Sequence, residues 1–209
     1  MTLQEDKILL AKYAAQHREF GNIKLTEQKN NYNTILVGIA GGYNRMRGSF
    51  MVEDIVKSMK TFNIAYLHPS YDLILNNYQS MYGPLSQETI NFYTSLSPQQ
   101  FVNEIIDNII LKSIFLDNKH KIQEDIVVIN LPLGSDIWKL MDVVIWLDEP
   151  GILPNFSSDP HVVPQEYLPL IHKDEKEIKP NANYTLNISE MTLDNVTKSI
   201  FQLVVNHKR

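Results

Sequence analysis

The residues best suited to hold an anion are Gly41, Gly42, Arg45, Arg47 and Ser49. Glycines let backbone N–H groups approach a ligand closely, and a helix start adds positive potential. Two guanidinium groups and a hydroxyl beside them suit a phosphate or sulfate. The plain alternative is a tight turn with two solvated arginines. The spacing departs from the usual phosphate loop, GxxxxGK[ST]. Counted from Gly41, the second glycine falls on Met46, the lysine on Arg47 and the hydroxyl on Gly48. Counted from Gly42, those places fall on Arg47, Gly48 and Ser49.

A second group is His68, Ser70, Tyr71 and Asp72. At the carboxyl end of a parallel strand, such residues could line a substrate cleft, with His68 or Asp72 as the base. A structural turn after Pro69 competes with that role. They form no nucleophilic triad, since no G-x-S-x-G accompanies them. Asp148 is the third catalytic candidate. With Glu149 it could face the same cleft or a Mg²⁺ ion, or cap a turn before Pro150. His161 and His172 are too isolated to make a metal site, and none is expected. Trp138 and Trp146 suit a core or a surface anchor.

These residues need a scaffold that brings strand ends together. Residues 35–40 form an apolar run ended by glycine, which predicts a strand buried on both faces. A helix pattern follows from Ser49, with Phe50, Met51, Val52, Ile55, Val56 and Met59 apolar. Further strands are expected at 63–67, 126–129, 143–147 and 184–188. Thr2 and Glu5 have capping-box spacing for a first helix reaching about Phe20. Ser97 and Pro98 open another helix, with Phe101, Ile105, Ile109, Ile110 and Ile114 on one face. The stretch 70–96 has weak periodicity. A short helix is expected at 136–141 and a closing amphipathic helix at 192–205. Apolar strands alternating with helices predict an α/β fold, a mostly parallel sheet covered on both faces. Residues 1–33 read as an N-terminal helix and linker, and residues 34–209 as one domain.

The chain has 209 residues, 44% hydrophobic and 21% charged, enough for one domain with a real core. A net charge of −5 disfavours nucleic-acid binding. There is no cysteine, hence no disulfide and no thiol chemistry. No apolar run approaches the roughly 18 residues of a membrane span. A cytoplasmic protein is expected. No protein partner can be named from the sequence.

The words GIAGG after a strand resemble the opening of the uridine kinase and phosphoribulokinase family, which includes bacterial pantothenate kinase. A second similarity is IVVINLPLGSDIWKLMDVVIWLDEP, with strand, short helix, Leu140-Met141-Asp142 and a strand ending in Asp148. The segment EIKPNANYTLNISE resembles the family's entry into its last strand. The resemblance covers roughly residues 35–205 as a pattern. It implies a three-layer P-loop kinase-like fold, with ATP and Mg²⁺ as ligands and a nucleoside-type hydroxyl compound as substrate.

The departures bear on activity. The family's second strand ends in an aspartate that helps take the substrate's proton; here that place is about His68. Its acidic residue after the third strand becomes about Asn130. The arginine-rich lid corresponds to residues 151–172, where Asp159 and Glu166 are the only formal charges. The chain's arginines are Arg18, Arg45, Arg47 and Arg209. Phosphoryl transfer needs placed cations around the moving charge. The expectation is a degenerate member that binds a small phosphorylated ligand or nucleotide with little or no turnover. The alternatives are an active kinase with a remodelled loop, and an interaction protein that binds no nucleotide.

Overall fold

The computed structural model describes residues 2–16, 34–42, 64–67, 79, 83–101, 103–104, 107, 121–149 and 168–208. Its centre is a sheet of five strands: β1 (Ile35–Gly41), β2 (Ile64–Leu67), β3 (Ile126–Asn130), β4 (Val143–Asp148) and β5 (Tyr184–Asn187). All four neighbouring pairs are parallel, in the order β2-β3-β1-β4-β5. The expected strands are all present, and the fold is α/β.

The central position of β1 explains its sequence. Val37, Gly38, Ile39 and Ala40 are buried, as a strand covered on both sides requires. Val37 and Ile39 share one face with Ile126, Val128, Val143, Ile145 and Leu147. The helix Leu193–Lys208 covers that face through Val196, Ile200 and Val204, one stripe at four-residue spacing. The alternate residues Leu36, Val127, Ile129, Val144 and Trp146 are also buried. Period-two alternation turns them to the opposite face. β5 is an edge strand, and its side chains alternate between half-buried and exposed.

The described helices are α1 (Leu3–Gln16), α2 (Gln87–Ser95), α3 (Pro98–Phe101), α4 (Leu168–Glu177) and α5 (Leu193–Lys208). α1 starts with the expected capping box. The Glu5 N–H donates to Thr2 Oγ1 at 3.3 Å, and the Thr2 N–H donates to Glu5 Oε2 at 2.8 Å. α3 starts the same way, with Ser97 N–H on Gln100 Oε1 at 3.0 Å. A single 3-10 turn at Ile137–Leu140 stands for the short helix. α2 lies in the stretch whose pattern is weak. Its buried Thr89 is polar and its Ile90 is exposed, so no apolar stripe marks it. The expected face at Ile105, Ile109, Ile110 and Ile114 lies outside the described residues.

Two polar side chains fix the register at the amino edge of the sheet. The Leu36 N–H donates to Asp142 Oδ2 at 2.8 Å, while the Asp142 N–H donates to the Leu36 carbonyl at 2.9 Å. Asn183 repeats this one strand over. Its Oδ1 accepts the Val144 N–H at 2.7 Å, and its own N–H donates to the Val144 carbonyl at 2.9 Å. Each side chain thus extends the ladder by one acceptor before its own strand begins. The Leu140-Met141-Asp142 word has a structural cause in this contact.

Asp142→Ala is expected to cost about 1–3 kcal/mol, since it orphans the Leu36 N–H. Asp142→Asn, which copies Asn183, is expected to recover most of that loss. Urea denaturation of the two variants checks both values.

Candidate functional site

The strand order directs attention to the carboxyl end of β1. The chain leaves β1 for β2 on one flank and leaves β4 for β5 on the other. Such a change of direction is where open α/β sheets hold ligands. Gly41 and Gly42 stand at that point with φ of 81° and 63°, both left-handed.

The geometry assigns the two glycines different tasks. A Cβ on Gly41 would lie 2.2 Å from the Leu147 carbonyl oxygen of β4, so only glycine admits the two backbones at this separation. The Gly42 N–H donates to that same carbonyl at 2.9 Å. This N–H is therefore committed to the sheet. An anion at the strand end would be held by groups beyond it. Arg45, Arg47 and Ser49 lie outside the described residues. So do His68, Ser70, Tyr71, Asp72, His161 and most of the segment 151–172 expected to match a lid, whose last residues, 168–172, lie in α4.

Asp148 ends β4 beside this turn. Its Oδ1 accepts Lys179 Nζ at 2.7 Å and Trp146 Nε1 at 3.2 Å. Lys179 sits in a 3-10 turn, Lys179–Asn181, ahead of β5. The carboxylate is thus paired and oriented within the protein. To serve as a base or a Mg²⁺ ligand, it would have to give up or share Lys179. Trp146 is in the core, 3% exposed. Trp138 is half-buried, with the Lys139 ammonium 5.7 Å from its ring centroid. His172 is exposed on α4 and faces Glu175 at 3.3 Å. Among the described residues no group of His, Asp or Glu could hold a metal ion.

The loop after β3 is held more tightly than the sequence suggested. Its first residue still pairs with β1, through the Leu131 N–H and the Ile39 carbonyl at 2.9 Å. The Gly134 N–H donates to both Asp174 oxygens, at 3.0 and 3.2 Å. The Gly134 carbonyl accepts Lys173 Nζ at 2.7 Å and Gln99 Nε2 at 3.0 Å. Asp107 takes the Ser135 hydroxyl and, at 2.7 Å, the Asp136 N–H. Asp107 and Asp174 are 4% and 3% exposed. Burial pushes the Asp107 carboxyl above its ordinary value, and the bonds from Ser135 and Asp136 offset this only in part. Asp136 is pushed up by burial too, but the Lys139 hydrogen bond and the Lys173 charge outweigh it and hold it low.

Asp107, Ser135, Asp174, Lys173 and Lys179 were not legible as a group in the sequence. They come from four separate segments, and no spacing rule links them. The one local signal was Gly134-Ser135-Asp136 following a buried strand.

Compared with protein families, curated proteins and solved structures, the chain matches none.

Two predictions follow from the geometry of this edge. Gly41→Ala is expected to cost about 3 kcal/mol or more, from left-handed strain and a clash with rigid backbone. Gly42→Ala meets Ile188 Cδ1 and the Cβ and Cδ1 of Leu147, each at 3.3 Å, side-chain contacts that a small shift relieves. It is expected to cost less, about 1–2 kcal/mol, mostly left-handed strain. Equal losses in urea denaturation would refute the distinction. For Asp107 the folded carboxyl titrates above the unfolded one, which lies at about 3.9. As pH rises through that window the unfolded chain loses its proton first, so stability falls. The stability difference between wild type and Asp107→Asn should change across that window and stay flat on either side. A difference flat throughout would mean that Asp107 titrates normally.

Proposed function

We propose that this chain is a P-loop kinase-like protein of three-layer architecture that binds a small phosphorylated ligand or nucleotide and transfers phosphoryl groups slowly or not at all. The observation that carries the proposal is the left-handed Gly41–Gly42 turn at the carboxyl end of the central strand. Such a turn releases the chain from the sheet at the place where parallel α/β sheets hold ligands. The sequence then supplies Arg45, Arg47 and Ser49 within the next seven residues.

The weakness of transfer rests on chemistry. Arg45 and Arg47 can hold a ground-state phosphate, yet ground-state binding alone does not accelerate transfer. The segment 151–172 carries a formal charge of about −2, from Asp159 and Glu166 against no lysine or arginine. Such a lid repels nucleotide phosphates instead of clamping them. Asp148, the acidic residue nearest the turn in the sheet, is engaged by Lys179 and Trp146. Removal of one cation or donor from a transfer site costs about a hundredfold or more in rate.

Calorimetric titration with ATP, GTP and their magnesium complexes tests binding. Saturable heat with at least one nucleotide or phosphorylated ligand is expected, and its loss in an Arg45→Ala, Arg47→Ala double variant places the ligand at the turn. Product formation over a nucleoside panel and pantothenate, followed by mass spectrometry, tests transfer and is expected at background. Turnover of about 1 s⁻¹, ordinary for a kinase, would replace the binding protein with an active kinase carrying a remodelled loop.

A further inference from the structure

The end of β4 brings carboxylates to the edge at which the chain leaves β1. Asp148 ends the strand and Glu149 follows it. The Leu147 carbonyl that accepts the Gly42 N–H at 2.9 Å belongs to the peptide joining Leu147 to Asp148. Asp148 therefore starts one rigid peptide unit from the glycine turn. Lys179 meets it from the 3-10 turn ahead of β5, with Nζ 2.7 Å from Asp148 Oδ1. The Trp146 Nε1 donates to the same oxygen at 3.2 Å. The side chains of Lys179 and Asp148 are 43% and 22% exposed, so the pair is open to water and to whatever approaches the edge.

Charge at this place bears on any anion that comes to the turn. Asp148 and Glu149 stand against Lys179, a negative balance among these three. Loss of the Lys179 charge would leave the strand end wholly acidic, while loss of the Asp148 charge would bring the three to neutrality. One unit charge about 8 Å from a charged ligand at a protein surface changes affinity about fivefold.

We propose that the Asp148–Lys179 pair regulates the entry of a phosphate-bearing ligand at the Gly41–Gly42 turn, Lys179 masking the carboxylate and Asp148 holding the affinity down. The proposal rests on the binding function proposed above and names what sets its strength. A purely structural tie has a different signature. Broken from either end, it disturbs the same turn, so both single variants would weaken binding. An electrostatic mask gives the two variants opposite signs.

The test titrates ATP and inorganic pyrophosphate, each without magnesium, into the full chain by calorimetry. The forms compared are wild type, Lys179→Met, Asp148→Asn and the double variant. Asparagine keeps the shape of Asp148 and an oxygen for the Trp146 Nε1. Lys179→Met is expected to weaken binding about fivefold, and Asp148→Asn to strengthen it about fivefold. The double variant is expected within about twofold of wild type, since the two charge changes cancel. In about 0.5 M salt the differences between variants are expected to shrink, because screening shortens the reach of each charge. Single variants that move affinity in the same direction, or leave it unchanged, would overturn the mask while wild-type binding leaves the proposed function standing. Absence of saturable binding in both wild type and Asp148→Asn would overturn the two together. Should Lys179→Met fail to fold, Asp148→Asn decides alone: stronger binding supports the mask, and equal or weaker binding refutes it.

Discussion

The approach of β1 to β4 at Gly41 governs what the carboxyl edge can become. At this point the Leu147 carbonyl occupies the space that any side chain on Gly41 would need. The Gly42 N–H then closes on the same oxygen, which holds the turn against the sheet. The left-handed conformation of both residues carries the chain off the strand direction. One carbonyl thus sets the exit of the segment bearing Arg45, Arg47 and Ser49. The glycine pair is required by the sheet before any ligand is considered, and a ligand site at this edge is built upon that requirement.

Polar side chains divide the remaining work by position. At the amino edge, Asp142 and Asn183 extend the ladders and fix register, so that the inward-facing residues of β1, β4 and β5 meet at the right level. At the carboxyl edge, Asp107 and Asp174 hold the loop after β3 by its N–H and hydroxyl groups. Lys173 and Gln99 hold it by a carbonyl. The two aspartates reach this loop from segments before and after it, so the loop is tied to both. Buried carboxylates of this kind are stable only while hydrogen-bonded. Their cost in ionisation is visible in Asp107, which burial drives upward.

Charge at the carboxyl edge is paired within the fold. Asp148, which ends β4 beside the left-handed Gly41–Gly42 turn, holds Lys179 at 2.7 Å. That pair ties the end of β4 to the 3-10 turn ahead of β5. The α1–α2 contact follows the same physics, with the Asp6 carboxylate of α1 accepting the Ser86 hydroxyl at a helix start that would otherwise face water.

The sequence by itself determined the strands and the class of fold. Apolar runs at Ile35, Ile126 and Val143 have no other stable place than a sheet covered on both faces. Thr2 with Glu5 marked one helix start because capping joins residues three apart in the chain, and Ser97 before Pro98 marked another because proline suits a first helical turn. It also pointed to Gly41 and Gly42, since a glycine pair after a buried strand signals a turn. Only the tertiary structure decided the strand order, because parallel pairing of β1 with β3 and β4 depends on crossovers that no local pattern encodes. It decided that Gly41 is glycine for the sake of Leu147, a residue more than a hundred positions away. It revealed α2, whose buried Thr89 carries no apolar signal and faces Asp6 from eighty-three residues off. Hydrogen bonds between distant polar groups leave no period in a sequence, whereas burial of apolar side chains does.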